Sequence, residues 1–390
     1  MSVSLSLTDT ELNIFNRLLG VNDKYSLGLT FRVAGGWVRD KLLGNESDDI
    51  DISLDKMTGQ EFCKYIQKEI NVNVHIIEEK HDQCKHLEVA CVKLFNVDID
   101  ILHLRSEEYS GTRIPTIKIG TPYEDAMRRG LTINALFYNV NTKQVEDFTG
   151  KGLIDIRSGI IRTPLDPYQT FMDDPLRILR SIRFTTRLKF KLDDSIINTV
   201  ESNDIIKKAL TDKVSPERRL TELHKTIKYN AVFALHLMKK MNIFRSLFDI
   251  DITNKLNEYI NEHISDTVPM DLISFLSLVY HDCTPEFVAE KLDKLKITKK
   301  EKNDVVKIIN SLNEHVDILS SHVTNNDVKY GRLVLNVGTV QLLNISINLV
   351  DIIFSDTHSV NKTIHLNTVE SFRWVVNMKS ILNGNEIMKM

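Results

Sequence analysis

Apolar and polar positions along this chain follow two different rhythms, and the change between them divides the molecule. Up to about residue 163, short runs rich in β-branched residues alternate with brief helical ones. Residues 72–77, 87–95 and 97–104 read as strands. Residues 135–140 and 144–148 form a further pair, joined by a hairpin turn around 139–142. From residue 170 onward the strand signals fade. Long amphipathic stretches with helical period take over, among them 175–187, 216–228 and 285–294. The pattern predicts an α+β head followed by an all-helical remainder. Breaks are expected near Asp166-Pro167, at 213–216 and at 266–269. No internal repeat and no low-complexity tract appears, although Asn, Lys and Ile are abundant.

Composition narrows this picture without changing it. At 390 residues the chain is too long for one compact core and suggests two to four domains. A hydrophobic content of 42% and a charged content of 26% are those of an ordinary soluble globular protein. The formal net charge of −3 means that any nucleic-acid surface must be a local basic patch. Lys291, Lys294, Lys296, Lys299, Lys300 and Lys302 cluster, as a solvated surface or as a phosphate-binding face. Four cysteines (Cys63, Cys84, Cys91, Cys283) show neither C-x-x-C pairing nor a partnered histidine spacing. That argues against a disulfide scaffold or a zinc module and fits a reducing compartment. No run approaches the ~18 apolar residues of a membrane span. The first twenty residues carry Asp9, Glu11 and a single arginine, a poor leader for secretion or mitochondrial import.

The chemistry concentrates in residues 31–53, FRVAGGWVRDKLLGNESDDIDIS. Gly35 and Gly36 follow a short apolar run and open a helix, which lets backbone N–H groups approach an anion. Asp49 and Asp51 stand one residue apart in an alternating segment, so both project from one strand face as hard oxygen donors suited to magnesium. Asp98 and Asp100 repeat that geometry in VDIDI, and one of them is a candidate third carboxylate. Residues 124–135, EDAMRRGLTINA, place adjacent arginines before a short β-like run, and Arg offers a charged fork for phosphate oxygens.

A second element is FMDDPLRILRSIRF at 171–184, in which Asp173 or Asp174 caps a helix and Pro175 takes its first position. With Asp174 at zero on a helical wheel, Arg177, Arg180 and Arg183 fall at roughly 300°, 240° and 180°, while Ile178, Leu179 and Ile182 cover roughly 40° to 140°. One side packs into a core and the other presents an acid followed by a basic stripe. A carboxylate only accepts hydrogen bonds and a guanidinium only donates them. Cytosine and adenine present an amino donor beside a ring-nitrogen acceptor, and uracil and guanine present the reverse. A fixed Asp174–Arg177 pair would therefore admit C and A without a template.

In this order the motifs resemble those of the class II tRNA nucleotidyltransferases, the CCA-adding enzymes, in their eukaryotic, fungal-like form, within the tRNA nucleotidyltransferase and poly(A) polymerase family. The resemblance is specific from residue 31 to about 228 and is only compatible beyond. It implies a polymerase-β-type head with a mixed or antiparallel sheet at 1–165, a helical neck at 166–230, a helical body at 231–310 and a tRNA-binding helical tail at 311–390. It places Asp49 and Asp51 on two Mg2+ ions, with Asp100 as a further catalytic carboxylate. Gly35, Gly36, Arg39, Arg129 and Asn134 fall on the nucleotide, and Asp174, Arg177, Arg180 and Arg183 on nucleotide selection. Asp147, Gly150 and Ile161-Arg162-Thr163-Pro164 match a hinge-like segment, Ser215-Pro216-Glu217-Arg218 a later neck motif, and 105–123 the loop associated with switching from C to A addition. The implied reaction is template-independent addition of CCA to the tRNA 3′ end from CTP and ATP, with release of pyrophosphate. The implied partner is the tRNA acceptor arm, with no membrane, in the cytoplasm, mitochondrion or nucleus. A partial CC- or A-adding enzyme, a poly(A) polymerase and an inert tRNA-binding homologue are the alternatives. One departure stands out: the family's arginine pair is followed by aspartate, and this chain has Gly130 there.

Overall fold

The computed structural model describes residues 3–47, 49–70, 72, 74–78, 88–108, 116–320, 327–353 and 359–377. The chain forms two compact units, Met1–Val214 and Ser215–Met390. Their boundary falls within the expected break at 213–216.

The first unit is built on strands β1 (Phe31–Ala34), β2 (Ile50–Leu54), β3 (Val74–Glu78), β4 (Glu88–Leu94), β5 (Val97–His103), β6 (Arg105–Glu108), β7 (Thr116–Ile119), β8 (Phe137–Asn139) and β9 (Gln144–Glu146). Seven of them make one sheet in the order β3-β4-β5-β2-β1-β8-β9. Its neighbours are antiparallel except β2 and β5, which run parallel. β6 and β7 form a separate hairpin; the rest of the expected switching loop, 109–115, lies outside the described residues. The alternation that predicted these strands is real burial. Phe31, Val33, Ile52, Leu54, Ile99 and Ile101 are all fully buried. They occupy alternate positions, which sends Asp49, Asp51 and Asp100 to the opposite face.

Helices α1 (Asp9–Lys24), α2 (Gly36–Leu42), α3 (Gly59–Glu69) and α4 (Pro122–Met127) accompany the sheet, followed by α5 (Gly152–Ser158), α6 (Pro167–Asp173), α7 (Leu176–Leu188), α8 (Asp194–Glu201) and α9 (Asp204–Asp212). α1, α3 and α4 each start with a Thr-x-x-Glu capping box, which satisfies orphan amides at both ends of the motif. The β-like run expected after Arg128-Arg129 is instead a 3-10 turn at Thr132–Asn134. Strand structure also persists beyond residue 170, as Lys191–Leu192 pairs in parallel with Ile160–Ile161.

The second unit is helical: α10 (Pro216–Lys240), α11 (Phe244–Phe248), α12 (Asn254–Glu262), α13 (Leu272–Val279), α14 (Pro285–Lys294), α15 (Lys299–Ser320), α16 (Asp327–Val337), α17 (Val340–Ile353) and α18 (Ser359–Ser371). α10 is two helices joined at Asn230, whose φ −164° and ψ 103° are extended. Residues 266–270 patch this kink. Ala231 donates to the Val268 carbonyl (2.7 Å), Met270 to the Ile227 carbonyl (3.0 Å), and Asn230 Nδ2 to the Asp266 carbonyl (2.8 Å). Freed backbone groups need such partners, so the expected break at 266–269 lies inside a unit. Among the described residues no single helix is long and apolar enough to cross a membrane.

Candidate active site

β1 ends in a turn where Gly35 adopts φ +75° and opens α2. That conformation is open to glycine and strained for residues bearing a Cβ. A Cβ there would also stand 3.1 Å from Arg129 Nη1, so the bare backbone lets that guanidinium close on the turn. Gly35 spends its own N–H on the Leu136 carbonyl at 3.1 Å, which pins the turn beside β8. The orphan first-turn amides of α2 therefore begin at Gly36.

Asp49 immediately precedes β2 and Asp51 is its second residue. In the parallel pair Asp51 lies opposite Asp100, and across the next ladder Asp100 lies opposite Cys91. Cys91 Sγ donates to Asp100 Oδ1 at 2.7 Å. Asp98, near the start of β5, is exposed and lies 3.7 Å from Lys93 of β4. Asp100 is thus the member of its pair that joins the site. Burial, then the charges of Asp49 and Asp100, push the Asp51 carboxyl up to about 6, with Arg129 opposing the rise. Crowded carboxylates that resist ionising together are short of positive charge, and an all-oxygen donor set fits Mg2+. Among the described residues no three His, Cys, Asp or Glu side chains are gathered closely enough to enclose a metal unaided.

Arg39 differs from its expected role. It is 3% exposed. Nε and Nη2 donate to the two oxygens of Asp40 (2.8 and 2.7 Å), and Nη1 donates to Asn134 Oδ1 (2.5 Å). Its guanidinium lies 4.8 Å over the ring of Phe184. The neighbouring carboxylate is a bidentate acceptor that a triphosphate would have to outcompete. Here Arg39 ties α2 to the 3-10 turn and to α7, and Asn134 is the residue it positions.

The arginine pair divides its work. Arg129 donates from Nε to Asp125 Oδ1 (2.9 Å), approaches the same oxygen with Nη2 (2.8 Å), and faces Gly35. Arg128 turns away, to Glu107 of β6 and to Asp125 Oδ2, both at 2.9 Å. Asp125 also accepts the Arg105 backbone N–H at 3.1 Å. It is 1% exposed, and although burial alone would raise its pKa, the guanidiniums of Arg129 and Arg128 hold it far below the usual carboxylate range. Sequence reasoning missed this hub. The available signal was its spacing of three and four residues from two arginines, the spacing of ion pairs on a helix.

Within 171–184 the expected cap is present: Asp174 sits extended between α6 and α7, its Oδ1 accepts the Leu176 N–H at 3.3 Å, its carbonyl accepts the Arg177 N–H at 3.0 Å, and Pro175 is the first residue in helical conformation. The apolar face is as expected, with Ile178, Leu179 and Ile182 buried. Arg177 donates from Nη2 to the Arg128 carbonyl (2.7 Å) and from Nη1 to the Thr170 carbonyl (3.2 Å). Arg183 lies 4.4 Å over Phe184, on the ring that also stacks Arg39, and Arg180 is exposed. Phe184 thereby joins α7 to α2, a role sequence alone did not assign.

Known proteins resemble this chain in sequence and fold. The model of the poly A polymerase head domain matches residues 31–162. A mitochondrial CCA tRNA nucleotidyltransferase of Saccharomyces cerevisiae is 39% identical over 297 residues, 71% of this chain and 53% of its own length. This chain therefore spans about half the length of such curated relatives. A CCA-adding enzyme solved with ATP aligns at a TM-score of 0.71 with 21% identity, over 98% of this chain and 88% of the other. The Thermotoga maritima CCA-adding enzyme complexed with tRNA-CCA aligns at 0.65 with 21% identity, over 100% and 90%. At that identity the likeness is one of fold. Residues 31–162 belong to the poly A polymerase head-domain family, and over 71% of its length the chain is similar to a curated CCA tRNA nucleotidyltransferase.

Proposed function

We propose that this chain adds C, C and A without a template to the 3′ end of tRNA, using CTP and ATP. The observation that carries the reading is the strand register that sets Asp51 opposite Asp100 and two residues from Asp49, with Arg129 lying against the Gly35 turn. That is a carboxylate-rich floor beside a cationic, amide-lined place for phosphates. The tRNA 3′-hydroxyl attacks the α-phosphorus of the bound nucleotide, the new P–O bond forms, and pyrophosphate leaves. Arg129 and the amides from Gly36 onward hold the triphosphate and bear its charge. Asn134, held by Arg39, lines the same place. When bound, two Mg2+ ions at Asp49 and Asp51 supply charge stabilisation for the attacking and leaving oxygens. Asp174 accepts from the base's amino group while Arg177 donates to its ring nitrogen, which selects C and A over U and G.

Relatives named for CCA addition and related structures solved with ATP, CTP and tRNA support this reading. The yeast relative is named as mitochondrial, which favours the mitochondrion among the compartments for this chain. The second unit is the place for the body and tail that grip the acceptor arm. The test is incubation with tRNA lacking its terminal CCA and with labelled nucleotides supplied singly and together. Two C residues and then one A are expected. Addition of A alone, of C alone, or of a long A tract would replace the reading with one of its partial or poly(A) relatives, and no addition would overturn it.

A further inference from the structure

Gly130 directly follows the Arg128-Arg129 pair, and its backbone conformation does not require a glycine. Its φ lies outside the positive range, so an L-residue would adopt the same conformation without strain. What glycine provides is room. A Cβ built at Gly130 would stand 3.2 Å from Arg177 Cγ, 3.3 Å from its Cδ and 3.6 Å from its Nε. The stem of Arg177 therefore lies directly across residue 130. It cannot easily give way, because both of its ends are fixed. The Cα belongs to the first turn of α7, and the guanidinium is anchored on two main-chain carbonyls, Arg128 at 2.7 Å and Thr170 at 3.2 Å. A few tenths of an ångström given by the stem must come from one of those hydrogen bonds.

We infer that Gly130 is a positioning residue for base selection: it clears the path along which Arg177 crosses to the Arg128 carbonyl, so that the backbone, with no carboxylate at position 130, sets where the guanidinium meets the base. The inference rests on the nucleotide-transfer reading above and deepens it. An aspartate at 130 would crowd the stem and offer the guanidinium a charged acceptor stronger than either carbonyl.

The test compares the full chain with Gly130→Ala, Arg177→Ala and the double variant, on tRNA lacking its terminal CCA and with CTP or UTP alone. Gly130→Ala is expected to keep its melting midpoint and a near-normal kcat with CTP. Its KM for CTP rises roughly tenfold and its preference for C over U falls by a similar factor, below the hundredfold that a full 1 Å misplacement costs. In the Arg177→Ala background the same change at 130 alters neither quantity. Unchanged KM and preference in Gly130→Ala would overturn the inference. So would an equal effect with and without Arg177, which would show that residue 130 acts on its own. Should Gly130→Ala fail to fold, Arg177→Lys replaces the two-carbonyl fork with one ammonium, and retention of full C-over-U preference there overturns the inference equally. A wild-type chain that incorporates nothing refutes the proposed function instead. The geometric claim then stands or falls on a crystal structure of Gly130→Ala, in which the Arg177–Arg128 hydrogen bond is expected to be lost.

Discussion

Asp51 sets folding against the proposed metal-binding role within one side chain. Its carboxyl titrates at about 6 in the folded protein, against 3.8 for a free side chain. The folded state thus binds the proton more tightly. Folding is helped as pH falls from about 6 towards 3.8 and hindered above it. In the metal-free protein at about pH 8 this penalty is on the order of 1–3 kcal/mol. Asp51→Asn is therefore expected to raise the metal-free melting midpoint at about pH 8 and to lose that gain at about pH 4, while ending nucleotide incorporation. Calorimetry at the two pH values checks this, and a lowered midpoint at the higher pH contradicts it. Asp125 works in the opposite sense. Asp125→Asn leaves two partly buried guanidiniums short of their carboxylate and is expected to cost about 2 kcal/mol in denaturant unfolding; a cost under about 1 kcal/mol would remove it as the hub. Asp49 and Asp51 were legible because alternation and glycine spacing are local. Asp125 was not, since one of its partners is a backbone amide 20 residues away. The burial of Arg39 was equally hidden, because it depends on Phe184 arriving from a different element.

Elements in the second unit are tied by a polar chain that no periodicity reveals. Tyr330 of α16 donates to His365 Nδ1 of α18 (3.2 Å), and His365 Nε2 meets His315 Nδ1 of α15 (2.7 Å). His315 Nε2 meets Ser346 Oγ of α17 (3.1 Å), which pairs with Ser311 Oγ (2.6 Å), and Ser311 donates to the Ile308 carbonyl (2.7 Å). Read in that direction, every donor finds an acceptor only while both imidazoles are neutral. Burial depresses His315 to about 3 and His365 to about 4. Because the unfolded chain takes up those protons near 6.5, the stabilisation is complete above about 6.5 and is lost as pH falls towards 4. The second unit is expected to lose stability steeply across that window. His315→Gln should flatten the slope by about 1.4 kcal/mol per pH unit, and an unchanged slope would dismiss the network as its cause. Helix α14 was read from the sequence with its observed bounds, Pro285–Lys294. α10 was cut short near its kink, since Asn230 breaks the period while residues 266–270 let the helix resume.

For the whole molecule, the near-neutral charge puts the burden of the proposed tRNA attraction on local patches. The lysine cluster is smaller in effect than its sequence suggests. Lys291 pairs with Asp249, Lys294 with Glu290 and Lys302 with Asp293. Lys296, Lys299 and Lys300 are the members left to meet phosphate. Replacing these three with alanine is expected to weaken tRNA binding and to reduce the log–log salt slope by about two to three; an unchanged slope places the tRNA elsewhere. The α+β head and helical remainder were legible because the change in period spans the chain. The meeting of β2, β5, the Gly35 turn and α7 was not, because it depends on a parallel crossover and on packing between residues as far apart as Asp40 and Arg187, 147 positions along the chain. The most direct test of the account is manganese binding followed by electron paramagnetic resonance, in the presence of a non-hydrolysable CTP analogue. We expect about two Mn2+ per wild-type chain, with loss of nucleotide-dependent binding in Asp49→Ala and Asp51→Ala variants that remain folded. Equal binding by wild type and both variants would contradict it.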